Sequence, residues 1–105
     1  MIEQKIRQFL VHSFLYYQVD ESILEDTEYD LLVTELRELI KDQEEYIYKK
    51  IIEDSLGAEG SAFSIRKYPP EIISTAFHLL YQEKYKETKS LNDFVKTYGY
   101  GVVKG

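Results

Sequence analysis

The sequence predicts a single all-α domain, a small helical bundle with a helical hairpin at its N-terminal end. Three observations carry this. Apolar residues recur at three- and four-residue steps through most of the chain, residues that start and stop helices fall between those stretches, and no internal repeat or low-complexity segment interrupts them. With 105 residues the chain can bury a core without a metal or a disulfide to staple it.

The first stripe, Ile2, Ile6, Phe9, Leu10, Phe14 and Tyr17, traces one face of an amphipathic helix over residues 2–18. Residues 19–25 break the pattern. Asp26 or Thr27 then offers a side-chain oxygen to the free amides of a second helix, with Glu28 and Asp30 as favourable charges in its first turn. Tyr29, Leu32, Val33, Leu36, Leu39 and Ile40 carry that helix on, so the first two helices form the hairpin. The pattern weakens over residues 41–43 and resumes through Tyr46, Ile47, Ile51, Ile52 and Leu56, as a third helix or a continuation of the second, with Gly57 as its C′ residue.

Residues 57–70 form one long connection, which Phe63, Ile65 and Tyr68 should pin to the body because each gains by burial. Pro70 suits a helix first turn, where a missing amide costs nothing. The stripe Ile72, Ile73, Ala76, Phe77, Leu80 and Tyr81 predicts a helix to about residue 85. Ser90, with Asp93 three positions on, resembles a capping box ahead of Phe94, Val95 and Tyr98. The organisation read from sequence is therefore a hairpin and following helix over 1–56, a loop over 57–70, C-terminal helices over 71–98 ended by Gly99, and a tail over 99–105.

Composition narrows function. Nineteen acidic against thirteen basic residues give a formal charge of −6, which repels phosphate backbones, so direct nucleic-acid binding is not expected. The chain has no cysteine, which removes disulfides, thiolate nucleophiles and the common structural zinc sites. No apolar run approaches a membrane span and the first residues lack the order of a signal peptide, so the expectation is a cytoplasmic protein with no membrane contact. Ten tyrosines and no tryptophan are unusual. Tyrosine joins an apolar face to a hydroxyl that seeks a partner, which suits ligand sites and interfaces as well as the rim of a small core.

The densest cluster is Tyr16-Tyr17-Gln18-Val19-Asp20 followed by Asp26-Thr27-Glu28-Tyr29-Asp30. It places stacking rings and hydrogen-bond acceptors at the end of one helix and the start of the next, a combination that suits a nucleotide. The block over residues 12–40 resembles the N-terminal helical module of bacterial NAD-dependent DNA ligases, which has a Tyr-X-X-X-Asp segment ending a first helix and Asp-X-Glu-Tyr-Asp opening a second. In those ligases the module binds the nicotinamide mononucleotide half of NAD. The resemblance implies that Tyr16 stacks on the nicotinamide ring while Asp26, Tyr29 and Asp30 contact ribose, phosphate and carboxamide. Tyr17 stands where the ligases have a histidine, which alters one contact. No Lys-X-Asp-Gly adenylation motif occurs, so no catalytic residue is assigned and the chain is expected not to be an enzyme.

The residues alone leave a second reading open, in which Tyr16 and Tyr29 pack the hairpin, Asp26 caps a helix and Asp30 supplies a first-turn charge. Three roles follow: a noncatalytic module for NAD or nicotinamide mononucleotide, a protein-interaction or regulatory module, and an accessory to a separate adenylating enzyme. A small chain of this kind fits a phage or mobile-element accessory protein. Other groups carry weaker signals. Arg66 and Lys67 precede the Pro70 helix start, where a phosphate could sit, or are solvated loop charges. His12 and His78 are isolated, Ser61 and Ser64 lack a neighbouring base, and the acidic residues lack metal-ligand spacing, so no metal is expected.

Overall fold

The computed structural model describes residues 2–21, 23–56, 65, 67–87, 90, 93 and 94. Among them all regular structure is helical: α1 (Ile2–Phe14), α2 (Asp26–Ile40), α3 (Lys49–Leu56) and α4 (Pro70–Leu80), with α1 and α4 each running on into a π-helical turn, Leu15–Val19 and Tyr81–Tyr85. The expected all-α class is what the chain adopts.

Helix α1 is the central element and packs against both α2 and α4. Its stripe of Ile6, Phe9, Leu10 and Phe14 is fully buried, as the spacing predicts. Beyond Phe14 the helix widens. A π turn takes one more residue per hydrogen-bonded ring than an α turn, so the register shifts and both Leu15 and Val19 turn inward. The first helix therefore differs from a uniform α-helix over 2–18: Val19, read as a break, is a core residue, Tyr17 is half-buried and Tyr16 faces solvent. Asp20 ends the turn in the left-handed region (φ 58°, ψ 36°), which aspartate tolerates better than a β-branched residue, and the amides of Asp20 and Glu21 both reach the Leu15 carbonyl.

Helix α2 starts one residue earlier than a cap at Asp26 or Thr27 requires. Glu25 is the N-cap, with extended backbone (φ −72°, ψ 157°), and the Glu28 carboxylate accepts from the Glu25 amide at 3.3 Å. This reciprocal box leaves Asp26 inside the first turn, where its charge faces the helix N-terminus. An ion pair from Lys5 to Glu35 at 2.6 Å ties α2 to α1.

The third apolar stretch is a separate helix. Tyr48 sits at φ 56°, a conformation that a bulky residue adopts at a cost, and breaks the chain between α2 and α3; Tyr46 and Ile47 precede α3. The Tyr48 hydroxyl donates to Glu71 on α4, which holds this turn in place. The C-terminal half then closes the core through aromatic edges. Phe14 meets Tyr68 at 5.2 Å and 76°, and Phe77 at 5.5 Å and 83°; Phe77 in turn meets Phe94 at 6.0 Å and 79°. These are the edge-to-face arrangements that aromatic quadrupoles favour.

Ile65 and Tyr68 are buried, so the long connection is pinned where expected. Pro70 is the first residue of α4, and the Asp93 amide donates to Ser90 Oγ at 3.3 Å, as the Ser-X-X-Asp spacing predicts. The readings at Gly57, Ser61, Phe63, Ser64, Arg66, Val95, Tyr98, Gly99 and the tail lie outside the described residues.

Candidate functional site: the tyrosine hairpin

The hairpin that joins α1 to α2 brings its tyrosines together across the two helices. Tyr16 projects from the π turn and Tyr29 from the second turn of α2. Their rings stack nearly parallel, with centroids 6.3 Å apart and an interplanar angle of 13°. Tyr29 continues the stack inward to Phe9 at 6.2 Å and 23°, while Tyr17 meets Tyr16 edge-on at 4.8 Å. The result is a short aromatic column running from the core, through Tyr29, to Tyr16 at the surface, where Tyr16 remains 44% exposed.

Tyr29 is anchored at both ends. Its ring lies between Phe9 and Tyr16, and its hydroxyl shares a 2.6 Å hydrogen bond with Ser13 Oγ, a fully buried hydroxyl on α1. Burial pushes the Tyr29 phenol up to about 12, with the neighbouring Tyr17, Asp30 and Tyr16 adding to the rise and the Ser13 bond opposing it. Tyr29 is therefore a neutral donor or acceptor across the physiological range. Its role in packing does not depend on a ligand.

The two carboxylates occupy different positions. Asp26, exposed on the first turn of α2, lines a small hollow with Tyr16, Tyr29, His12, Ile23 and Leu24. Asp30 is exposed one turn further along the same helix face, and its backbone carbonyl accepts from Thr34 Oγ1 at 2.9 Å. Three of the four residues singled out from sequence thus meet at one hollow, and Asp30 lies beside it. The hollow measures about 10 Å³. That is room for roughly one water, far below the ~300 to 1,000 Å³ of small-molecule pockets. Tyr29 stacks on one face of the Tyr16 ring and Tyr17 meets that ring edge-on, and part of Tyr16 remains in solvent.

Sequence reasoning passed over His12, which stands one helical turn before Tyr16. It lines the same hollow, and its buried Nδ1 has no hydrogen-bond partner among the described residues. Burial lowers its pKa below 6.5, against a smaller upward pull from Glu28, so the imidazole is neutral at pH 7. The i, i+4 spacing of His12 and Tyr16 was the available signal, since it places both on one helix face. His78 is half-buried on α4, its Nε2 has no hydrogen-bond partner among the described residues, and it does not line the tyrosine hollow. Among the described residues no three His, Cys, Asp or Glu side chains gather to hold a metal ion, and no helix is long and apolar enough to cross a membrane.

No protein-family model, curated protein or solved structure matches this chain.

The connector between the helices is held from outside at Glu21. Glu21 accepts from the Tyr85 hydroxyl at 2.7 Å and from Lys84 Nζ at 3.2 Å, both on the π turn that follows α4. The Tyr85 hydrogen bond, with help from Lys84, holds the Glu21 carboxyl below its ordinary value. This clamp sets the path of Ile23 and Leu24, which close the hollow.

Proposed function

We propose that the chain is a small noncatalytic module that binds a nicotinamide nucleotide, NAD or its mononucleotide half, on the surface of the tyrosine hairpin. The supporting observation is the parallel Tyr16–Tyr29 stack with its outer ring exposed and Asp26 on the same hollow. A planar cationic ring stacks on the electron-rich face of Tyr16, while the exposed carboxylates of Asp26 and Asp30 accept from ribose hydroxyls and carboxamide N–H groups. Tyr29 and Ser13 support Tyr16 from behind, which lowers the ordering cost of the platform.

The test is calorimetric titration with nicotinamide mononucleotide and NAD. Saturable binding is expected, with Tyr16→Ala weakening it at least about fivefold, since a base on an aromatic platform is worth ~1 to 3 kcal/mol. Absence of binding at about 10 mM ligand, an affinity floor near 2.7 kcal/mol, sinks the reading. So does an affinity that Tyr16→Ala leaves unchanged.

One observation favours a second reading, a protein-interaction module. Leu31 and Leu39 on α2 are 59% and 41% exposed, two large apolar side chains on a helix face otherwise rich in carboxylates. A partner that covers them should be lost on Leu31→Asp while nucleotide titration is unaffected.

A further inference from the structure

An apolar groove adjoins the tyrosine hollow and shares His12 with it. Between α1, Ile23 and Leu24 of the connector, and α4 runs a groove of about 620 Å³, within the range of ~300 to 1,000 Å³ that small-molecule sites occupy. Its walls are aliphatic: Val11 from α1, Ile23 and Leu24 from the connector, and Leu79 from α4, with Thr75 beside them. His12, Ile23 and Leu24 line both this groove and the tyrosine hollow, so these three side chains form the partition between the two. A second groove of similar size, about 640 Å³, has Glu44, Glu45 and Glu53 in its walls, and its Lys49 is engaged with Glu44 and Glu45.

The charge at the rim of the α1–α4 groove selects among ligands. Glu3 and Arg7 stand one helical turn apart on α1 with opposite signs, and neither has an ion-pair partner among the described residues. A head group of one charge sign drawn to one of them is opposed by the other, and the net charge of −6 adds to the cost for an anion. The remaining polar lining is uncharged. Gln4 and Gln8, also one turn apart, each offer an amide donor and an amide acceptor, and His12 is neutral at pH 7.

We propose that the α1–α4 groove is a binding site for an uncharged small molecule with an apolar body and a carboxamide edge. The apolar body lies against Val11, Leu24 and Leu79, and the amide pairs with the glutamine carboxamides at the rim. This site is separate from the stacking face of Tyr16 and does not depend on it. A ligand with both parts could be held at one site and not the other, and variants tell them apart.

The experiment uses the full chain with methyl-labelled Val11, Ile23, Leu24 and Leu79, titrated with benzamide and followed by NMR. Saturable shifts of these methyls are expected, with a Kd on the order of 1 mM for so small a ligand. Benzoate, of the same shape but anionic, should bind at least about fivefold more weakly because the rim charge gives it no net gain. Leu79→Trp, which fills the groove, should weaken benzamide at least about tenfold, and Thr75→Trp is the second filling variant if Leu79→Trp loses helical circular dichroism. Tyr16→Ala should leave benzamide affinity within about twofold, the outcome that separates this site from the hairpin platform. The proposal is overturned if the Val11 and Leu79 methyls do not shift, if shifts are confined to Ile23 and Leu24, which also face the tyrosine hollow, if benzoate matches benzamide, or if a folded groove-filling variant binds as the parent does.

Discussion

Replacing Tyr68 by phenylalanine should stabilise this protein. Tyr68 is only 5% exposed, and its hydroxyl has no hydrogen-bond partner among the described residues. The ring itself is well used, since its edge contact with Phe14 at 5.2 Å belongs to the aromatic core and phenylalanine keeps it. The substitution thus removes a stranded hydroxyl and little else. A buried hydroxyl without a partner costs about 1 to 3 kcal/mol, which bounds the gain. At about 4 °C per kcal/mol for a domain of this size, the midpoint of thermal unfolding should rise by roughly 4 to 12 °C.

The same burial, reinforced by the neighbouring Tyr29 and Tyr17, holds the Tyr68 phenol well above its ordinary value of 10.0. The folded state then keeps its proton after the unfolded chain has lost it, so the contribution to stability is whole below pH 10 and falls as the pH rises further. Tyr68→Phe should flatten that alkaline loss. Urea unfolding at neutral pH and at about pH 10.5, read by circular dichroism, measures both effects. A variant that is less stable than the parent by 1 kcal/mol or more would show that the hydroxyl has a partner, and would refute the reasoning.

Four further outcomes follow. Ser13→Ala and Tyr29→Phe should each destabilise by about 1 kcal/mol, and the double variant by less than the sum, because the 2.6 Å hydrogen bond between them is lost only once; additivity in urea unfolding would show that the bond does not form. Phe77→Ala should cost about 3 to 5 kcal/mol, since a fully buried ring with edge contacts to Phe14 and Phe94 leaves a cavity, and a loss under 1 kcal/mol would place that ring outside the core. His12 should titrate below 6.5 by NMR; because its folded pKa is the lower one, stability falls as the pH drops through 6.5 and His12→Gln should reduce that acid loss. Glu28→Ala should lose about 0.5 to 1 kcal/mol with Glu28→Gln keeping most of it, because an amide oxygen can still accept from the Glu25 amide.

Much of the fold was legible because helical burial is local. The stripes of α1, α2 and α4 follow from a period of 3.6 residues, and Pro70 or the Ser90–Asp93 pair act through amides within one turn of themselves. Boundaries were less legible where two local solutions compete. Glu25 with Glu28 displaces a cap at Asp26 because their reciprocal contact satisfies the helix start one residue sooner. The π turns left no periodic trace, since a single extra residue shifts the register without removing apolar positions, and Val19 read as a break for that reason.

The sequence by itself determined that this is an all-α chain with a tyrosine- and carboxylate-rich hairpin, because residue type and spacing along one helix decide which face is apolar and what chemistry the turn carries. Only the tertiary structure decided that Tyr29 stacks under Tyr16 and bonds Ser13, that Glu21 is clamped by Lys84 and Tyr85, and that the space sized for a ligand opens between α1 and α4. The physical reason is distance along the chain. Glu21 and Tyr85 are 64 residues apart, and such contacts depend on how whole helices cross and on how much volume their side chains leave between them, which no periodic pattern encodes.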